Sequence, residues 1–209
     1  MTTVNLTALA DTGNARRYTD GTWQTAQAQI YVGASWSSWF DFLVGGIGAG
    51  VTISSAILSA YCSATDSTNA SFSTTAYLIK EAGTSFPTTG VDAASRTLSA
   101  GVSKTTNPRI DGNIYQTWDV TADVQSLVNL GGWSAASRFM ATIQSASPNQ
   151  MSLLSGYGFP ATPPKLDIVY TAGGGGGSSY PPGQAVDNAA GYAGNRRAFV
   201  AGGLNLGGF

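Results

Sequence analysis

Few residues in this chain could do chemistry, and their types narrow the field before any element is placed. The 209 residues include no histidine and one cysteine, Cys62. Without an imidazole there is no Ser-His-Asp or Cys-His relay to activate a nucleophile, and no histidine to hold zinc. Paired-carboxylate catalysis would have to draw on ten aspartates and the single glutamate, Glu81. Asp119 and Asp123 are candidates, but they flank the start of a predicted helix, where capping and the helix dipole account for both. No Gly-Lys-Ser/Thr follows a glycine run, so no phosphate-cradling loop is expected. Calcium needs only oxygen ligands. Asp41, Asp66, Asp111 and Asp119 supply carboxylates, yet no D-x-D-x-D loop gathers them. These observations point to a chain that is not an enzyme and that needs neither cofactor nor metal.

The informative side chains are aromatic. Trp23, Trp36 and Trp133 each stand near a glycine or serine turn and are the candidates for stacking on sugar rings. Trp39 and Trp118 sit in alternating runs and read as core. Tyr180, Tyr192, Phe199 and Phe209 are spaced through a C-terminal stretch without hydrophobic period, beside Arg196-Arg197. With no domain around them, these aromatics bury themselves only against a partner, at roughly 1.5–3 kcal/mol each when fully covered. They are read as intermolecular anchors, with Arg196 and Arg197 pairing to acidic groups or carbonyls on the neighbour.

The elements that position these residues follow from hydrophobic period. Trp39-Phe40-Asp41-Phe42-Leu43 alternates, Gly45 to Gly50 interrupts, and a second run places Ala56, Leu58, Ala60 and Cys62 on one face and Ile57, Ser59 and Tyr61 on the other. Two β-strands separated by a glycine loop are predicted, the second with small inward residues suited to a tight sandwich. Cys62 is then a buried small hydrophobe. Further strands are predicted over Ala26–Val32, Thr74–Ile79, Ile114–Val120, Phe139–Ile143, Met151–Leu154 and Pro163–Tyr170, with short edge strands at Thr97–Ser99 and Val102-Ser103. Residues 1–14 are an arm or an edge strand. One helix is predicted over Thr121–Leu130, capped by Thr121 and stopped by Gly131-Gly132.

Composition agrees. Charged residues are 10% of the chain, well below the roughly 25% of ordinary domains, which disfavours surface helices. A net charge of −1 gives no footprint for nucleic acid. No apolar run has the length of a membrane span, and the first residues lack the basic and apolar regions of a signal peptide, so a soluble product made in a cytoplasm is expected. Gly173 to Gly177 with Ser178-Ser179 reads as a tether. The predicted organisation is residues 1–14, a sandwich over 15–172, and a tether and interaction arm over 173–209.

Three segments resemble a known family. WFDFLVGGIGAGVTISSAILSAY is similar to the "aromatic-Asp-aromatic, Gly loop, I-x-x-A-x-L" block of DNRLRE-type domains. YQTWDVTADVQSLVN resembles their strand-to-helix segment, and PPKLDIVYT their final strand. Strands at this spacing with one short helix indicate an all-β, antiparallel jelly-roll β-sandwich followed by an extended Gly-rich C-terminal arm. The resemblance implies the same jelly-roll fold, related to some carbohydrate-binding modules. Sandwiches with glycine-rich tails also resemble accessory virion proteins of tailed phages. The expectation is a structural virion protein, a capsid decoration or minor tail component, whose partners are other virion subunits including copies of itself. The alternative is a carbohydrate-binding module for surface glycans.

Overall fold

The computed structural model describes residues 1–9, 14–42, 46–83 and 85–172. Twelve strands and two helices occur among them: β1 (Thr2–Thr7), β2 (Asn14–Tyr18), β3 (Trp23–Thr25), β4 (Gln29–Val32), β5 (Trp36–Phe42), β6 (Thr52–Ser63), β7 (Phe72–Leu78), α1 (Gly90–Ser95), β8 (Val102–Thr106), β9 (Tyr115–Asp119), α2 (Thr121–Val128), β10 (Phe139–Gln144), β11 (Met151–Leu154) and β12 (Lys165–Thr171). Every pairing is antiparallel. One sheet runs β1-β12-β6-β11-β4 with β9 also on β6, and the other runs β3-β2-β5-β10-β7-β8.

The alternation in β6 decides how the sheets meet. Ala56, Leu58, Ala60 and Cys62 are fully buried, and with Leu166 and Ile168 of β12 they share one core with Phe40, Phe42, Phe139, Ala141 and Ile143 of the second sheet. This is a two-sheet all-β architecture built on period-two burial. On one side of β6, Ile57 to Ser59 pair with Asp167 to Lys165 of β12; on the other they pair with Asp119 to Thr117 of β9. Beyond the end of β9, α2 continues the ladder with its side chains. Ala56 N–H donates to Thr121 Oγ1 at 2.8 Å, and Ile53 N–H donates to Gln125 Oε1 at 2.8 Å. Gln125 Nε2 donates to Val51 O at 3.0 Å. Val124, Leu127 and Val128 turn into the core.

A second, smaller cluster lies on the other face of the second sheet. Ala15, Trp39, Ile79 and Met140 are covered by Ala93 of α1 and by Trp23, Phe86 and Leu98. Thr89 caps α1 by accepting from Asp92 N–H at 3.1 Å. Arg96 then binds Glu81 and Asp92, each at 2.9 Å. The cover closes against the β2–β3 hairpin through glycines: a Cβ on Gly90 would collide with the Gly21 carbonyl oxygen. Arg17 Nε donates to Gly90 O at 2.9 Å, fixing the same contact.

Several expectations change. The described residues form two helices, because Thr89 supplies a cap inside a stretch whose hydrophobic pattern is weak. Thr121 does not cap α2, whose N-cap is Val120 without a side-chain bond; its hydroxyl is committed to β6 and to Asp119. Of the two readings of residues 1–14, an arm or an edge strand, residues 2–7 take the second and pair with β12. β2 and β3 flank a turn at Asp20-Gly21 where no strand is expected, since Arg16-Arg17 breaks the apolar alternation. The tether and residues 173–209 lie outside the described residues.

Asp41 is the one carboxylate sunk into a sheet among the described residues, 1% exposed, with Arg138 Nη1 donating to it at 2.5 Å. Burial raises its pKa above the ordinary range, while Arg138 pulls the other way. Removing Arg138 leaves a buried charge without its partner. Arg138→Ala should cost about 2 kcal/mol at pH 7, below the roughly 3–5 kcal/mol of fully enclosed pairs, since the Arg138 side chain is 36% exposed. Because a folded pKa raised by burial favours the protonated folded state, the deficit should shrink as pH falls and Asp41 takes up a proton. Urea melts of both proteins at pH 7 and pH 4 check this; a deficit equal at both values contradicts it.

Candidate binding surface

The aspartates proposed from sequence as cation ligands are each engaged separately. Asp66 Oδ2 accepts from Gln29 at 2.8 Å and from Ser63 at 3.1 Å. Asp111 accepts from Thr106 Oγ1 and from Asn107 N–H, both at 2.9 Å, and the Asn107 bond leads in lowering its pKa. Asp119 accepts from Thr121 Oγ1 at 2.5 Å, which lowers its pKa most. Asp123 accepts from Ser99 Oγ at 2.7 Å inside the protein, tying α2 to the loop before β8. Among the described residues no three acidic or cysteine side chains converge, and no helix is long and apolar enough to cross a membrane.

The three candidate tryptophans separate. Trp133 is interior, 4% exposed; its Nε1 donates to Ile47 O at 3.0 Å and its ring lies 4.9 Å from that of Phe139. It offers no face to a sugar, which corrects the sequence expectation. Trp23 is half-buried between Trp39 and Phe86, each ring 5.8 Å away, as part of the smaller cluster. Trp36 is half-buried at the start of β5, among residues from three strands. Tyr18 lies 6.3 Å and Tyr31 5.9 Å from it, ring to ring. The Arg16 guanidinium stacks on both tyrosines at 5.1 and 5.0 Å and donates to Gln24 Oε1 at 2.5 Å. No ion pair among the described residues includes Arg16.

Beside Trp36 a depression of about 100 Å³ is lined by Arg17, Ser37 and Gln144. A second, of about 310 Å³, shares Gln144 and Ser145 and continues to Thr75 and Tyr77. The Tyr77 ring lies flat against Gly101, where a Cβ would strike it at 2.5 Å. Together they form a shallow, mostly uncharged groove with an aromatic residue at each end. Hydroxyls, an amide and aromatic rims can hydrogen-bond and stack on a polyhydroxylated ligand. Sequence reasoning reached Trp36 but missed Arg16, Tyr18 and Tyr31. The Asp20-Gly21 hairpin signal, read with its flanking Tyr18 and Trp23, would have found β2 and so Tyr18.

No protein-family model matches the chain, and no characterised protein matches it in a sequence search. Neither comparison supports the resemblance to DNRLRE-type domains. The proposed anchors Tyr180, Tyr192, Arg196, Arg197, Phe199 and Phe209 lie outside the described residues.

Cys62 fits no reactive role. Its Sγ lies 3.7 Å from Ser67 Oγ and 3.6 Å from Pro108 O, and burial pushes its pKa up to about 11. A thiol held protonated and enclosed is a poor nucleophile. Native protein at pH 8 should react with a thiol reagent at least about a hundredfold more slowly than denatured protein, which should titrate one thiol. Equal rates would show that Cys62 is accessible.

Proposed function

We propose that this chain is a structural component of a tailed-phage particle, a jelly-roll sandwich serving as a capsid decoration or minor tail protein. In this reading residues after Gly173 hold it to neighbouring subunits, copies of itself included. One observation supports the reading above others: among the described residues, both sheets contribute to one shared core cluster. A glycine-rich segment carrying four spaced aromatics and Arg196-Arg197 is well composed for docking on another surface. Truncation after Ala172 should leave the melting temperature within about 3 °C and abolish incorporation into purified particles. Normal occupancy of the truncated chain overturns the reading.

A second reading has its own support in the groove beside Trp36, whose lining, polar apart from the single charge of Arg17, and aromatic rims suit a surface glycan. Under it, Trp36→Ala should weaken binding at least about tenfold, equivalent to roughly 1.4 kcal/mol, without changing the fold. Titration of the wild type against a broad glycan array checks it. Failure to bind any glycan removes this reading.

A further inference from the structure

We propose that β1 is a docking edge for a second copy of this chain, the two β1 strands pairing antiparallel across a two-fold axis. Among the described residues β1 pairs on one side only: Thr2 to Thr7 run against Tyr170 to Lys165 of β12 without a register shift. The end of the strand fixes which way each backbone group faces. Ala8 N–H donates to Pro164 O at 3.0 Å, on the β12 side, and Leu9 N–H donates to Asp41 O at 3.0 Å, towards the other sheet. Hydrogen-bonding direction alternates along a strand. Val4 and Leu6 therefore serve β12, while Thr3 and Asn5 turn N–H and C=O outward. Both residues are exposed, and no hydrogen bond among the described residues takes up those four groups.

Exposed strand edges are ordinarily guarded by lysine, proline, a bulge, short length or a covering segment. The TTVNLT of β1 has no charge and no proline. Both edges of the second sheet are guarded. β8 carries Lys104 and lies against β9. β3 is three residues long and is followed by Ala26, whose φ of 53° turns the chain away.

A second copy suits this edge on three grounds. An uncharged segment meets itself without repulsion. With the two-fold at Val4, Thr3 faces the partner's Asn5 and Asn5 faces the partner's Thr3, each pair exchanging two N–H···O=C bonds. The closed two-fold arrangement also satisfies both edges at once and adds no new one. Residues 173–209 have no alternation and are rich in glycine, which makes them poor strand donors. The inference rests on the assembly reading in naming a contact between copies, but it uses no residue beyond Gly173.

Sedimentation equilibrium of the full chain should show a reversible monomer–dimer equilibrium. Asn5→Pro removes an outward N–H and leaves the β12 ladder intact; it should weaken dimerisation at least about tenfold while the melting temperature stays within a few degrees. Thr3→Lys places a guarding charge on the same edge, should also weaken the dimer, and carries the test if Asn5→Pro fails to fold. A wild type that stays monomeric up to high concentration, or a dimer indifferent to the substitutions, overturns the proposal. Because dimerisation is read in solution and tail-dependent incorporation in particles, either can fail without the other.

Discussion

The small inward side chains of β6 are the constraint on which the rest of the molecule depends. Ala56, Ala60 and Cys62 leave room for Phe40, Phe42 and Phe139 to reach across from the facing sheet and fill the interior. A larger residue at any of them would force the sheets apart or push side chains off their rotamers, at about 1–3 kcal/mol. The same strand carries β12 and β9 on its two sides, so a distortion in β6 passes directly into both.

Where β9 stops, β6 would have an open flank. α2 closes it with side chains in place of a strand: Thr121 and Gln125 accept from the Ala56 and Ile53 amides. This explains why the helix lacks a conventional side-chain cap. Its first hydroxyl has a more demanding task in satisfying a partly buried backbone donor, which would otherwise cost about 1–3 kcal/mol. The helix is thus part of the sheet's hydrogen-bond network as well as part of its core, and both roles follow from a chain that turns directly from Asp119 into Thr121.

Much of the architecture was legible in the sequence where period alone decides structure. β5, β6, β10, β11 and β12 lie where alternation or apolar runs place them, and Trp39 and Trp118 are buried as their strands imply. α2 is likewise found within a residue or two of its apolar spacing. Illegible were elements made by partners distant in sequence. β2 is a strand because β3 and β5 hold it on both sides, although Arg16-Arg17 interrupts its pattern. Trp133 was misread for a related reason: Gly131-Gly132 signals a turn, but exposure depends on whether the indole finds an acceptor, and Ile47, 86 residues away, supplies one. The Trp36 surface was half legible. Its tryptophan stands out beside serines, whereas Arg16, Tyr18 and Tyr31 meet it only once the two sheets are assembled.

The contact of Gly90 with Gly21 joins two stretches that lie far apart in the chain. The first turn of α1 cannot gain bulk at Gly90 while the hairpin backbone stays where it is, because a Cβ there would strike the Gly21 carbonyl. The cover over Trp39 and Met140 and the hairpin beside it therefore form one unit of inheritance. Among related sequences, a longer hairpin turn should be accompanied by a remodelled α1, and residues 19–22 and 88–91 should vary together even where the rest of the sandwich drifts freely.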